Sequence, residues 1–358
     1  MKVGLLMVFQ NFSDRISDTE VYKRDIGLAS LAEDFGFDTL GGVEHHFSNY
    51  SMLPDNMDFL GFMAARTSRI KLLTGAVILP WWKDPMRVVE KMIMLDHFSE
   101  GRALFGIGCG LARREYETFG IDMNEARERF AEAAELILKG LETGVVEADG
   151  KYYKQKRTEI RPRPYASFED RFYCVASSVD SLEVCARLGG KMMCFAQKPW
   201  EMMLPHFDLY RSKFQEYRNC SAPPPVCVDF LCCDESSDRA EELARDHMSN
   251  YFITVMDHYE MMGDHFKTVK GYGDYAANVD LLKEAGKSGA ANDFVNVNTW
   301  GTPNQILEKL EKRRQSIGEF DLTVQISYGG MSGENARRGM ELFARKVLPE
   351  IQSWGRSA

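Results

Sequence analysis

Proton transfer and anion binding need particular side chains held close together, and the sequence offers two places for them. The first is Val43-Glu44-His45-His46-Phe47. On an extended strand, neighbouring side chains point to opposite faces. His45 is therefore expected on one face with Gly41 and Val43, and Glu44 and His46 on the other, toward helices or a partner chain. A histidine at a strand end suits proton transfer near neutral pH and suits a hydrogen-bonded structural role equally well. No other His, Cys or Asp group completes a ligand set at a recognisable spacing, so no metal is expected. The second place is Ala176-Ser177-Ser178-Val179-Asp180-Ser181, just ahead of a helical pattern. Hydroxyls at a helix N-terminus receive an anion or simply cap the helix, and the two roles are compatible.

Between these lie segments fit for a flat or apolar ligand. Phe105-Gly106-Ile107-Gly108-Cys109-Gly110 places glycines at alternate positions, which either lets backbone approach a planar molecule or relieves crowding in a strand. Pro80-Trp81-Trp82 follows Gly75-Ala76-Val77-Ile78-Leu79 and suits either a pocket wall or a plug. With Met7, Phe9, Phe47 and Phe195, these tryptophans are the expected apolar lining of a substrate pocket. Arg113-Arg114-Glu115-Tyr116 suits a phosphate or a solvated helix start.

The elements that must position these residues alternate. Short apolar runs at Lys2–Phe9, Phe37–His46, Ile70–Leu79, Ala103–Ile107, Arg171–Ala176, Lys191–Ala196, Val226–Cys232 and Leu322–Ser327 are each followed by a helical pattern. Strand then helix, repeated, means parallel strands with crossover helices. Eight such units in 358 residues predict an α/β fold, a single (β/α)8 barrel domain over residues 1–358, with a doubly wound sheet as its rival. Val145–Arg161, turning at Asp149-Gly150, reads as an inserted hairpin. The Gly-, Asp-, Lys- and Asn-rich stretch from His258 to Trp300 reads as a long lid loop between strands seven and eight.

Composition narrows the classes. A net charge of -9 argues against a nucleic-acid binder. No apolar run approaches the roughly 20 residues that span a bilayer. MKVGLLMVFQNF lacks a small-residue cleavage site and is expected to be the first buried strand. Eight dispersed cysteines suit a reduced, cytoplasmic protein.

Taken in order, the motifs resemble the bacterial luciferase-like flavin monooxygenase family, its α-subunit type above all. The resemblance runs through Glu44-His45-His46-Phe47, Val77-Ile78-Leu79-Pro80, Gly101-Arg102, Phe119-Gly120-Ile121-Asp122-Met123-Asn124, Glu147-Ala148-Asp149, Gly271-Tyr272 and Gly301-Thr302-Pro303. It implies a homodimeric barrel that takes FMNH2 from an NAD(P)H-dependent flavin reductase and reacts it with O2. Through a C4a-(hydro)peroxyflavin, one oxygen atom would enter a hydrophobic substrate. It further implies that His45 assists proton transfer, that Gly75-Ala76 is a cis peptide beneath the flavin ring, and that Ser178 and Ser181 hold the flavin phosphate. Gly108 and Cys109 would lie beside the ring and phosphate. This chain departs from luciferase at three positions: Gly108 replaces a cysteine, Cys109 a phosphate-binding arginine, and Ser177 a glutamate. Arg113, Arg114 or a lid lysine is then the expected replacement cation. Rival readings are an F420-dependent oxidoreductase on the same barrel and a non-catalytic flavin-binding subunit.

Overall fold

Parallel strands buried on both faces need apolar residues at nearly every position, and the computed structural model, which describes residues 1–354, has them. In chain order the strands are β1 (Val3–Met7), β2 (Thr39–Gly42), β3 (Lys71–Thr74), β4 (Val77–Ile78), β5 (Ala103–Gly108), β6 (Val145–Asp149), β7 (Lys154–Glu159), β8 (Phe172–Val175), β9 (Lys191–Phe195), β10 (Val226–Cys233), β11 (Thr299–Gly301) and β12 (Asp321–Gln325). The helices are α1 (Asp18–Ala29), α2 (Asn56–Ala64), α3 (Met86–Phe98), α4 (Arg113–Phe119), α5 (Ala126–Thr143), α6 (Val179–Leu188), α7 (Trp200–Arg218), α8 (Ser237–His258), α9 (Gly273–Val297), α10 (Pro303–Ile317), α11 (Gly333–Lys346) and α12 (Leu348–Ser353). The order β1-β2-β3-β5-β8-β9-β10-β12 closes through the β12–β1 pair, all parallel, into an eight-stranded barrel. β6 and β7 form the expected hairpin, antiparallel and outside the barrel. No described helix is long and apolar enough to cross a membrane.

Two breaks within the expected apolar runs shape the site. β2 stops at Gly42, so the alternation expected for Val43–His46 fails there. Third-strand pairing breaks at Gly75-Ala76, whose peptide bond is cis, and resumes as β4 against β5. Buried Asn56 clamps this break, donating to Gly42 O at 3.1 Å and Ala76 O at 3.0 Å. Gly106 is required by space: a Cβ there would lie 2.1 Å from Thr74 O.

The segment between β10 and β12 is a correction. From His258 to Trp300 it is not the expected long loop: a short turn at Asp264–Lys267, then α9, then the start of β11 cover that end of the barrel. α9 kinks at Gly286, with φ 67°. The kink sets the apolar positions of its two halves out of phase, which hides the helix from a periodicity reading.

Candidate active site

The principal pocket opens where strands β2, β4, β5, β8 and β9 end, the end at which barrel enzymes keep their chemistry. Two polar clusters face it across walls that include Val43, Ile78, Trp81, Phe195, Phe230 and Phe294.

One cluster is built on His45. With β2 ended, His45 lies in the loop beyond it, its N–H bonded to Leu53 O at 3.2 Å. Its Nδ1 faces Glu115 Oε1 at 3.3 Å, and its Nε2 is 3.1 Å from the Tyr259 hydroxyl. Glu115, on α4, is 1% exposed and accepts the His46 backbone N–H at 2.7 Å. Burial opposes its ionisation, but the imidazoles of His45 and His258 beside it outweigh that and hold its carboxyl well below the usual carboxylate range. His258, at the end of α8, packs edge-on to the His45 ring with its Nε2 3.6 Å from Glu115 Oε1. Burial, opposed by Glu115, pushes His258 down to about 4, so it is neutral at pH 7. Its buried Nε2 has no hydrogen-bond partner. Polar atoms of His45, Glu115 and His258 thus lie within 4.8 Å of one another, a cluster the sequence spacing does not reveal. Tyr50 and Tyr251 extend it, their hydroxyls 2.7 Å apart and both raised well above the phenol range by burial.

The other cluster is built on the start of α6. Ser178 caps that helix in a reciprocal box with Ser181, whose hydroxyl accepts the N–H groups of Ser177 at 3.1 Å and Ser178 at 2.9 Å. Arg127, from the first turn of α5, reaches across to Ser178 Oγ at 3.3 Å and to Gly271 O at 3.0 Å. Its guanidinium lies over the Tyr272 ring, 4.9 Å from the centroid, and among the described residues its hydrogen bonds go to Ser178 and Gly271 and to no carboxylate. Cys109 lines the same end, its sulfur 3.9 Å from the Tyr272 hydroxyl. Gly108 leaves the wall flat: a Cβ there would come within 2.9 Å of Ile78 Cδ1.

The pocket therefore gathers His45, Gly75, Ala76, Gly108, Cys109, Ser177, Ser178, Ser181, Trp81 and Phe195. It does not gather four other expected residues: Met7 is buried elsewhere in the core, and the other three are turned away. Phe9 has a left-handed backbone (φ 55°) that turns its ring outward, 5.0 Å from Tyr22 and 5.1 Å from Phe59, while Val8 lines the pocket. Phe47, 56% exposed, borders a separate surface cleft. Trp82 lies outside the pocket beneath Lys91.

Glu44 departs from expectation by facing the pocket, whereas His46 does turn toward a helix, its ring 4.8 Å from Phe119 of α4. Glu44 is 3% exposed and lines the pocket, accepting Trp81 Nε1 at 2.7 Å and Ile78 N at 3.2 Å. Burial raises its carboxyl, opposed by His46 and Trp81. Arg113 is spent on Glu260, at 2.6 and 2.9 Å, so the cation near the serines is Arg127 instead. Sequence reading also missed Glu115, His258, Tyr259 and Tyr272. The available signal for Glu115 was its place on the first turns after β5, where a barrel brings side chains to its active end.

A family model for luciferase-like monooxygenase matches residues 1–319, and the chain belongs to that family. It is a flavin-dependent monooxygenase. Over 373 aligned residues it is 28% identical to the alkanal monooxygenase alpha chain of Photorhabdus laumondii, covering 100% of this chain and 99% of that one. Its fold is similar to the oxygenating constituent of 3,6-diketocamphane monooxygenase from Pseudomonas putida, a type II Baeyer-Villiger monooxygenase solved with FMN (TM-score 0.77, 18% identity, 98% of each chain). It is also similar to a coenzyme F420 dependent tetrahydromethanopterin reductase from Methanopyrus kandleri (TM-score 0.68, 21% identity, 98% of each chain).

Proposed function

We propose that this chain is the oxygenase component of a two-component system. It takes FMNH2 from an NAD(P)H-dependent flavin reductase and uses O2 to place one oxygen atom in a hydrophobic organic substrate. The observation that carries this reading is one pocket with an anion cradle at one end, a proton-handling histidine at the other, and a flat, apolar wall between. Reduced flavin supplies the electrons that activate O2. The chain supplies the rest. Ser178, Ser181 and Arg127 would receive the phosphate, and an anion there gives Arg127 the counter-charge it otherwise lacks. Gly108 and the Gly75-Ala76 backbone would lie against the ring, and His45 would exchange a proton with the bound reactants. Aromatic and aliphatic walls, with α9 above them, exclude water from the site.

Three narrower readings accompany it. The barrel strands run from Val3 to Gln325, which supports one domain over the whole chain. All eight cysteines are free and seven are buried, which supports a reducing, cytoplasmic setting. For the homodimer, the supporting surface is α2 and α3 rather than Glu44 and His46: Phe62, Met94 and Phe98 are 47%, 44% and 60% exposed on these packed helices. Sedimentation showing only monomer contradicts the dimer.

The test of function is stopped-flow absorbance after mixing protein and photoreduced FMN with oxygenated buffer. A species that persists between the reduced and oxidised flavin spectra is expected. Reoxidation at the rate of free FMN would overturn the reading, and reduced F420 would be tried next.

A further inference from the structure

His45 borders two spaces at once. It lines the inner pocket, and it also lines a separate surface cleft with Asp14, Asp18, Tyr22, Phe47 and Ser48. The partners on its two nitrogens decide which way it faces. An ionised carboxylate only accepts hydrogen bonds. Facing Glu115 Oε1 at 3.3 Å, Nδ1 must carry the ring proton. Nε2 is then the nitrogen with the lone pair, and the Tyr259 hydroxyl, kept as a neutral phenol by burial, donates to it at 3.1 Å. Tyr259 itself lines the inner pocket.

We propose that Glu115 is a positioning residue: it fixes His45 as the Nδ1–H tautomer and turns the basic Nε2 toward Tyr259 and the inner pocket, where it takes and returns the proton of the reaction. A proton arriving on Nε2 leaves Nδ1–H on Glu115 and creates an imidazolium beside a carboxylate. The proton then leaves from the same Nε2 to an acceptor in the inner pocket, and the ring returns to its starting tautomer. Every element packed against His45 is consistent with this. Glu115 comes from α4, His258 and Tyr259 from the end of α8, Tyr50 from the loop after β2, and Glu44 and His46 from beside it, with Asp18 of α1 across the cleft. Among the described residues Glu115 is the one acidic side chain within 4.0 Å of the His45 ring nitrogens.

The use made of this proton rests on the monooxygenase reading, but the tautomer does not, so the two fail separately. Long-range 1H–15N NMR of the full chain labelled with 15N-histidine, without flavin, reads the tautomer directly. His45 is assigned by the signals lost in His45→Gln. A bare Nε2 and protonated Nδ1 are expected; an Nε2–H tautomer, or a mixture, overturns the proposal. The second measurement is Glu115→Gln, which keeps the shape and removes the charge. Its FMN affinity should stay within about twofold while kcat falls about 10- to 100-fold. The acidic limb of its kcat profile should move down by about one pH unit or more, because the imidazolium has lost its counter-charge. A fall in kcat with an unmoved limb would mark Glu115 as a packing residue only. Should Glu115→Gln fail to fold, the tautomer of the unaltered chain still decides.

Discussion

The two ends of strand β5 carry buried charge in opposite ways. Just before the strand, Arg102 spends all five of its N–H groups on oxygens: Ser99 O, Ile70 O, Ala64 O, Thr67 O and Thr67 Oγ1, at 2.8 to 3.0 Å. Beside it, Asp96 holds Arg171 in a two-pronged pair at 2.6 and 2.9 Å and faces Ala103 N at 3.3 Å. Just past the other end, Glu115 gathers two histidines, yet His258 Nε2 has no partner and His45 stands between two open spaces. A saturated network resists change, because each group removed strands several others. An unsaturated one lets an imidazole take and return a proton without stranding the groups around it. On this view the first end holds the barrel shut and the second end does its chemistry.

The sharpest way to break that division is at Arg102. Arg102→Met strands five acceptors at the base of the barrel, and a loss of about 3–5 kcal/mol is expected in denaturant unfolding. Protein that remains folded should turn over at nearly the normal rate. A loss below about 1 kcal/mol would show the network to be ornamental. His45→Ala is the reciprocal case. FMN binding should survive and turnover fall about 100- to 1,000-fold, with stability changed by no more than about 1 kcal/mol. Unchanged turnover removes His45 from the reaction.

How much of this division was legible in the sequence follows from how far apart its parts lie. Ser177, Ser178 and Ser181 are within one helical turn, so a local motif exposes them, and the alternation of apolar runs exposes all eight barrel strands. His45, Glu115 and His258 are 70 and 143 residues apart in the chain, and only barrel closure brings them together. Glu44 was misplaced because period-two reasoning was carried past Gly42, where the strand ends. Arg127 was missed because it sits in the most regular helix of the chain, where a charged residue reads as solvent-facing. The resemblance pointed to a missing arginine, but only the fold could show that α5 brings another to the same serines.

His258 tests the active end by pH. Its folded-state value, about 4, lies below its ordinary 6.5. Between those values the unfolded chain binds the extra proton and the folded chain does not, so stability is full above pH 6.5 and lost as pH falls toward 4. At pH 5 this amounts to about 2 kcal/mol relative to pH 7. His258→Gln should flatten that slope, measured by urea unfolding at both values. Glu115 acts in the same direction but adds only about 0.2 kcal/mol between pH 7 and 5, because its ordinary value of 4.5 lies below both. An identical slope in His258→Gln would show that the acid sensitivity arises elsewhere.

Ser178 is the place where the contrast between holding and reacting should narrow most. Its hydroxyl caps α6 through Ser181 N and accepts from Arg127, so one atom serves both the helix and the anion cradle. Ser178→Ala should therefore cost both functions a little, about 1 kcal/mol of stability from the lost cap and about tenfold in FMN affinity from the lost phosphate contact. Ser178→Gly separates them: glycine is nearly as good a cap, so stability should return to within a few tenths of a kcal/mol while the tenfold loss in flavin affinity remains. Isothermal titration with FMN and unfolding on the same two variants give both numbers. If affinity recovers with stability in the glycine variant, the hydroxyl acts only through the helix, and the cradle reduces to Ser181, Arg127 and backbone N–H groups.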